Sequence, residues 1–265
     1  MIRLIACDMD GTLLDSQKRL PEGLLPVLRA LRERGTAFAV ASGRSYAALR
    51  RDMAEAADDI LFICENGALV MRREKRLHID PMPASTLADA VHAARGLPGV
   101  APVLCRAEKA YAQRGASEAF MRSTLPYYPG LQIVDDLLDY CDCEDVCKIA
   151  FYDEGDAQTH ELPALQEKLG DRLSVILSGE HWVDVMKRGV HKGGALRALQ
   201  KKLRIAPEEC MAFGDYLNDC ELLESVGESY AMKNAHPRLK EIARHIAPGN
   251  DEDGVLRVIR AAFDL

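Results

Sequence analysis

The first part of the chain alternates between short apolar runs and longer segments with apolar residues at helical spacing. Residues 3–8 (RLIACD), 36–42 (TAFAVAS) and 59–66 (DILFICEN) are apolar runs of strand length. Residues 22–35 and 46–56 carry apolar residues every three or four positions, which is typical of amphipathic helices. Strands that alternate with helices over short connections predict a parallel sheet with crossover helices.

The same alternation returns in the last third of the chain, so we expect this part to extend the same sheet. The helices predicted there are 193–205, 218–226, 237–244 and 254–263. The strands predicted there are 210–215, 229–235 and 245–249.

The middle of the chain has a different pattern. Helical spacing predicts helices over 84–95 and 157–169, and several strand-like runs between them alternate apolar and polar residues. Residues 123–131 (STLPYYPGL) hold two prolines and a glycine, which predicts a loop. A mixed sheet with helices on one face is the arrangement that fits this pattern.

The length of 265 residues suits one large domain or one domain with a second inserted into it. We therefore predict the α/β class, with a Rossmann-like parallel-sheet core domain built from residues 1–82 and 187–265. The core is interrupted by an inserted α+β domain at residues 83–186.

Composition excludes some classes of function. The net charge is −7, and a nucleic-acid binder would normally show a basic surplus. The basic run 72–76 (RREKR) sits between apolar stretches and predicts a solvated hairpin turn. No apolar run approaches the length of a membrane span, and the N-terminus leads directly into a strand. The eight cysteines lack paired CxxC spacing, even in the cluster 141–147, which favours reduced thiols in a cytoplasmic protein.

Polar residues follow several predicted strands at their carboxyl ends. Asp8, Ser42, Asn66 and Asp215 each stand at such a position. Ligands of open parallel sheets bind beyond this edge. We therefore expect these four side chains to converge on one site.

Four motifs occur in the order typical of one family: DMDGTLLD (8–15), the serine at 42, HKGGAL with Lys192, and GDYLND (214–219). This order resembles the haloacid dehalogenase-like phosphatase superfamily. Further segments are similar to its Cof-type branch, in which a large cap domain is inserted between the second and third motifs: ASGR (41–44), CENGALV (64–70), AMKNA (231–235) and NDEDGV (250–255). The resemblance covers both ends of the chain, and the insert matches in place and size.

The chemistry of these residues supports a phosphatase. A carboxylate is a competent nucleophile toward phosphorus, and Asp8 is the candidate. Asp10 can protonate the leaving oxygen and then deprotonate the attacking water. Ser42 and the backbone N–H of Gly43 would bind phosphoryl oxygens, and Lys192 would neutralise charge.

Four carboxylates, those of Asp8, Asp10, Asp215 and Asp219, would repel one another and a phosphate dianion without a cation. Hard oxygen ligands of this kind select Mg²⁺. The resemblance implies that Asp8 is the nucleophile and first metal ligand, and that the backbone carbonyl of Asp10 also meets the metal. It implies further that Asp215 is the second ligating carboxylate and Asp219 a metal-side or water-mediated partner.

The resemblance also gives roles to neighbouring positions. Asn218 matches a residue that holds the phosphate pocket, and Arg44 and Asn66 fall on positions at the rim of the substrate site. His191 stands where a small hydroxyl residue is commoner in this branch, and we expect this departure to matter little.

Three functions remain in competition. The favoured one is Mg²⁺-dependent hydrolysis of a small phosphorylated metabolite, a sugar phosphate, by a cytoplasmic monomer or weak homodimer. A phosphomutase would use the same residues and differ in requiring an activating bisphosphate. A receiver-like signalling module also has an acidic Mg²⁺ pocket, but it has no need of an acid/base at the +2 position or of a cap.

Overall fold

The computed structural model describes residues 1–265, which form two compact units. The first unit comprises Met1–Gly43, Arg50–His78 and His191–Leu265. The second unit comprises Arg44–Leu49 and Ile79–Val190. The predicted insert at 83–186 falls within the long segment of the second unit.

Strands and helices are numbered in chain order. The strands are β1 (Leu4–Asp8), β2 (Ala37–Ala41), β3 (Leu61–Cys64), β4 (Leu69–Arg72), β5 (Lys75–Ile79), β6 (Val100–Arg106), β7 (Ala110–Gln113), β8 (Gln132–Val134), β9 (Val146–Asp153), β10 (Leu173–Gly179), β11 (Trp182–Lys187), β12 (Cys210–Gly214), β13 (Glu228–Met232) and β14 (His245–Ala247). The helices are α1 (Leu24–Glu33), α2 (Tyr46–Asp52), α3 (Ala84–Arg95), α4 (Glu118–Thr124), α5 (Glu161–Leu169), α6 (Lys192–Leu203), α7 (Cys220–Leu223), α8 (Pro237–Ile242) and α9 (Gly254–Phe263).

The first unit is built on an eight-stranded sheet in the order β14-β13-β12-β1-β2-β3-β4-β5. The strands from β14 to β3 run parallel, and β4 pairs antiparallel with β3. Every residue of β1, β3 and β12 is buried, as expected for strands covered on both faces. This topology confirms the predicted α/β fold with a Rossmann-like parallel sheet.

The second unit has a six-stranded, mostly antiparallel sheet in the order β10-β11-β9-β6-β7-β8. The central strand β9 is buried along its whole length. One apolar cluster joins it to α3 and α5, through residues such as Leu87, Ile149 and Leu165. A second cluster, which includes Phe120 of α4, covers Ala150 and Tyr152 on the same strand. This mixed arrangement agrees with the predicted α+β class for the middle of the chain.

Most predicted elements are present, and the differences lie at their ends. The basic run becomes the turn at Arg73 and Glu74 between β4 and β5, as predicted. Helix α2 ends at Asp52, four residues before the predicted end. The helix predicted over 218–226 is reduced to α7, because Asp219 accepts backbone hydrogen bonds from Asp215 and Tyr216 and closes a separate short turn first.

Two differences fall in the second unit. Helix α4 was not predicted, although Ser117 caps it by accepting a hydrogen bond from the backbone N–H of Phe120. Helix α5 begins at Glu161, four residues later than predicted, because the Asp156 side chain binds the backbone N–H of Gln158 and stabilises a turn there. None of the nine helices combines the length and the apolar character that crossing a bilayer requires.

Candidate active site

The carboxyl ends of three neighbouring strands meet at one edge of the first unit's sheet. Asp8 is the last residue of β1 and lies beside Ala41 of β2 in the parallel register. Ser42 therefore follows directly next to it. On the other side of β1, Phe213 of β12 lies beside Cys7, so that Asp215 comes just beyond the same edge. Chain segments distant in sequence are thus brought together, as the sequence pattern predicts.

Lys192, the first residue of α6, lies between two carboxylates of this edge. Its Nζ atom donates to Oδ1 of Asp8 over 2.6 Å and to Oδ1 of Asp219 over 2.7 Å. All three side chains are buried, with 1% of the Lys192 side chain exposed. Burial alone lowers the pKa of Lys192, but the charges and hydrogen bonds of Asp219 and Asp8 outweigh it, so the pKa is raised and the lysine stays charged.

Asp8, Asp215 and Asp219 form the acidic group of the site. Each offers a carboxylate oxygen, and the three atoms lie within 4.8 Å of one another. Burial and the charge of Asp219 raise the pKa of Asp8 well above its usual range, and the same two causes raise the pKa of Asp215. Positive charge added beside Asp8 and Asp215 would favour their ionised forms.

This donor set fits a magnesium ion. With every group ionised, the three carboxylates and Lys192 sum to a charge of −2, which a divalent cation neutralises. Oxygens that share one Mg²⁺ lie about 3–4 Å apart, because each is about 2.1 Å from the ion. The three observed oxygens, which lie within 4.8 Å of one another, could reach that spacing through small side-chain rotations. A ligand set made only of oxygens also suits a hard cation.

Asp10 stands outside this group. Its carboxylate accepts a hydrogen bond from Lys18 Nζ over 2.8 Å, and 38% of the side chain is exposed. Its backbone forms an isolated bridge with Leu14. The acid/base role of Asp10 and the coordination of a metal by its backbone carbonyl stay predictions.

Two contacts at this edge were missed by the sequence reasoning. Thr12 is buried, and its hydroxyl donates to Oδ1 of Asp215 over 3.0 Å, which orients that carboxylate. Lys18, the partner of Asp10, adopts a left-handed backbone conformation with φ 62°. Thr12 belongs to the quoted DGT motif and could have been identified there, whereas nothing local marks Lys18.

The predicted phosphate-binding residues lie on separate loops. Ser42 is buried, and its carbonyl accepts a hydrogen bond from the backbone N–H of Asn66 over 3.0 Å. Asn218 is exposed, and its Nδ2 donates to Oδ1 of Asn66 over 3.4 Å. Gly43 is the last residue of its segment in the first unit, and Arg44 belongs to the second unit. The rim position predicted for Arg44 stays a prediction.

His191, the departure from the family pattern, caps helix α6. Its backbone is extended, and its Nδ1 accepts a hydrogen bond from the backbone N–H of Gly194 over 3.2 Å. Small hydroxyl residues provide the same acceptor at helix N-caps. The His191 imidazole therefore provides the N-cap acceptor that a hydroxyl residue would otherwise provide. Lys192 follows this cap as the first residue of α6.

Comparisons with known proteins cover nearly the whole chain. A family model described as haloacid dehalogenase-like hydrolase matches residues 5–259. Over 264 residues the chain is 33% identical to the 5-amino-6-(5-phospho-D-ribitylamino)uracil phosphatase YbjI of Escherichia coli K12, covering 97% of this chain and 95% of that protein. It is 32% identical over 250 residues to the HMP-PP phosphatase of Escherichia fergusonii, covering 93% and 89%. The solved structure of SMU.1108c from Streptococcus mutans UA159 superposes with a TM-score of 0.85 at 30% identity, over 100% of both chains.

Proposed function

Because the chain belongs to the haloacid dehalogenase-like hydrolase family, we propose that it hydrolyses the phosphate ester of a small metabolite through an aspartyl-phosphate on Asp8. The observation that carries this proposal is the buried contact between Lys192 and Asp8, with Asp215 and Asp219 beside it. Phosphoryl transfer requires a nucleophile and positive charge beside the transferring group. The site offers a carboxylate as the nucleophile, and a lysine with a group of metal ligands as the source of positive charge.

In the first step a carboxylate oxygen of Asp8 attacks phosphorus while the bond to the leaving oxygen breaks. The hydrogen bond from Lys192 to Oδ1 of Asp8 holds this carboxylate in position for the attack. Asp10 in its protonated form gives its proton to the departing alkoxide, so that an alcohol leaves. Lys192 meanwhile stabilises the negative charge that the transferring group shares with Asp8.

In the second step Asp10, now a carboxylate, takes a proton from a water molecule that attacks the aspartyl-phosphate. The bond between phosphorus and Asp8 breaks, and inorganic phosphate forms. Ser42, Gly43 and Asn218 bind the phosphoryl oxygens in both steps. Asp8, Asp215 and Asp219, with the backbone carbonyl of Asp10, would hold Mg²⁺, which would supply positive charge to offset that of the transferring phosphoryl group.

The substrate class rests on the relatives. Two of them at about one third identity are named as phosphatases of small phosphorylated compounds, one of which carries a phosphorylated ribityl chain. We propose a phosphorylated metabolite of that size, with sugar and polyol phosphates as the first candidates. Residues 83–186 are proposed to act as the cap that selects among them.

The nucleophile is tested by replacing Asp8 with asparagine and measuring turnover of an aryl phosphate with Mg²⁺. We expect no measurable turnover and no trapped phosphoenzyme. Asp264→Asn is the control, because Asp264 is exposed and its left-handed backbone suits asparagine equally well. Turnover by Asp8→Asn comparable with that of the control would refute the assignment.

The metal and the substrate are tested with the wild-type protein. EDTA should abolish turnover and Mg²⁺ should restore it, whereas turnover that is unaffected by EDTA would contradict the charge argument. A panel should include sugar phosphates, pyridoxal phosphate, flavin mononucleotide and the ribitylaminouracil phosphate named for the relative. Activity that appears only after addition of a sugar bisphosphate would indicate a phosphomutase instead.

A further inference from the structure

Three consecutive residues after β3 adopt a left-handed backbone conformation. Their φ angles are 49° at Glu65, 53° at Asn66 and 105° at Gly67. Asparagine and glycine tolerate this region, but for glutamate it is strained. Strained backbone persists only where its surroundings fix it, and it is concentrated at functional sites. We call these three residues the left-handed turn.

Asn66 connects the left-handed turn to the residues predicted to bind phosphate. Its backbone N–H donates to the carbonyl of Ser42, and its Oδ1 accepts from Asn218 Nδ2. Its amide group also covers Gly43 so closely that a Cβ atom there would lie 3.1 Å from both Nδ2 and Oδ1. One side chain thus touches a backbone segment and a side chain that come from two other loops.

Gly67 connects the same turn to the lysine. A Cβ atom at Gly67 would lie 2.4 Å from the carbonyl oxygen of His191 and 3.0 Å from the backbone nitrogen of Lys192. Both neighbours are backbone atoms, which cannot swing away as the end of a side chain can. The turn therefore packs directly against the start of α6, where Lys192 is placed.

We infer that the left-handed turn sets the relative positions of the phosphate-binding groups, and that Asn66 is a positioning residue of the reaction. The groups that the turn holds in place come from three separate parts of the chain, namely Ser42 with Gly43, Asn218, and the start of α6. This assignment differs from the rim role that the sequence resemblance implies, because Asn66 contacts Ser42, Gly43 and Asn218, which are other groups of the site. It rests on the proposed function.

The side chain is tested with Asn66→Gly, which keeps the left-handed backbone and removes the amide. We expect kcat to fall about 10- to 100-fold, since a displacement of about 1 Å in a reacting group has effects of this order. The loss should be the same for an aryl phosphate, a sugar phosphate and a polyol phosphate, because phosphoryl binding is common to all three. A rim residue would instead change KM by an amount that depends on the leaving group.

The backbone is tested with Gly67→Ala, and Gly35→Ala is its matched control. Gly35 has φ 74° in the same unit, but a Cβ atom there would have no neighbour within 4 Å. Both variants carry a left-handed alanine, so the backbone strain of that conformation is matched, and any larger loss of thermal stability in Gly67→Ala reports the collision with the start of α6. Only Gly67→Ala should lose kcat beyond about tenfold.

Binding of inorganic phosphate in the presence of Mg²⁺, followed by calorimetry, gives a readout that does not depend on turnover. Asn66→Gly and Gly67→Ala should bind phosphate at least about tenfold more weakly than the wild type, and Asn66→Gly should leave Mg²⁺ binding unchanged. The inference is refuted if Asn66→Gly keeps wild-type kcat and phosphate affinity, or if Gly67→Ala behaves like Gly35→Ala. A wild-type protein that binds phosphate without hydrolysing any ester would refute the proposed function alone, and one that does neither would refute both.

Discussion

Replacing Glu161 with glutamine is expected to stabilise the protein, increasingly so as the pH rises. Glu161 begins helix α5 in the second unit, and its side chain is completely buried. Neither of its carboxylate oxygens has a hydrogen-bond partner. Burial, together with the charges of Asp153 and Asp184, raises the pKa of Glu161 from 4.5 to about 8. The folded protein therefore holds this carboxyl in its neutral form near neutral pH.

The sign of the effect follows from proton binding. Between pH 4.5 and 8 the folded protein keeps the Glu161 proton while the unfolded chain has released it, so the free energy of unfolding falls as the pH rises. At about 1.4 kcal/mol per pKa unit, the fall from pH 5 to pH 8 amounts to about 3–4 kcal/mol. Glutamine has the same shape and does not ionise, so the Glu161→Gln variant should not show this fall in the free energy of unfolding.

The measurement is equilibrium unfolding in urea at pH 5, 6.5 and 8, monitored on the second unit through Trp182 fluorescence. The difference in free energy of unfolding between Glu161→Gln and wild type should be under about 1 kcal/mol at pH 5 and about 3–4 kcal/mol larger at pH 8. Glu167→Gln on the exposed face of the same helix is the control and should follow the wild type at every pH. A difference that does not widen with pH would refute the reasoning.

Three further predictions concern other contacts of the protein. His191→Ala should destabilise the protein by about 1 kcal/mol, because the cap acceptor for Gly194 is lost. His191→Ser should keep the wild-type stability in thermal unfolding, and equal melting temperatures of all three proteins would contradict this. Lys192→Met should lower kcat on an aryl phosphate by at least about 100-fold at saturating Mg²⁺, and a smaller loss would show that its charge is not needed. Lys148→Met should cost about 3–5 kcal/mol in urea unfolding because Asp184 is left buried and unpaired, whereas the double variant with Asp184→Leu should recover most of it.

Much of the fold could be predicted because local pattern and burial agree in the first unit. Strands β1 and β2 are apolar apart from Asp8 at the end of β1, and the parallel sheet buries nearly all of their residues. In the second unit, side chains compete with the helical pattern for backbone groups. Asp156 holds a turn just before α5, and Ser117 begins a helix in a segment with weak periodicity.

Some features of the candidate site could likewise be predicted from the sequence, and others could not. The positions of Asp8 and Asp215 follow from strand ends, which the sequence pattern locates. The contact of Thr12 with Asp215 joins residues 203 positions apart, and no local pattern encodes it. In the left-handed turn, the pair Asn66-Gly67 is a recognised turn signal, whereas glutamate at position 65 gives no sign of a positive φ angle.

The order of strands in the larger sheet has a consequence for how the chain is made. β1 lies between β2 and β12, so its second neighbour is synthesised only after the whole middle of the chain. At about 5–20 residues synthesised per second, the interval between β2 and β12 is on the order of 10–30 s. The strands between residues 79 and 190 can pair with one another as they leave the ribosome. During this time, the edge of β1 that later pairs with β12 remains exposed. Such an unpaired strand edge is a target for chaperones and for aggregation until the last third of the chain arrives.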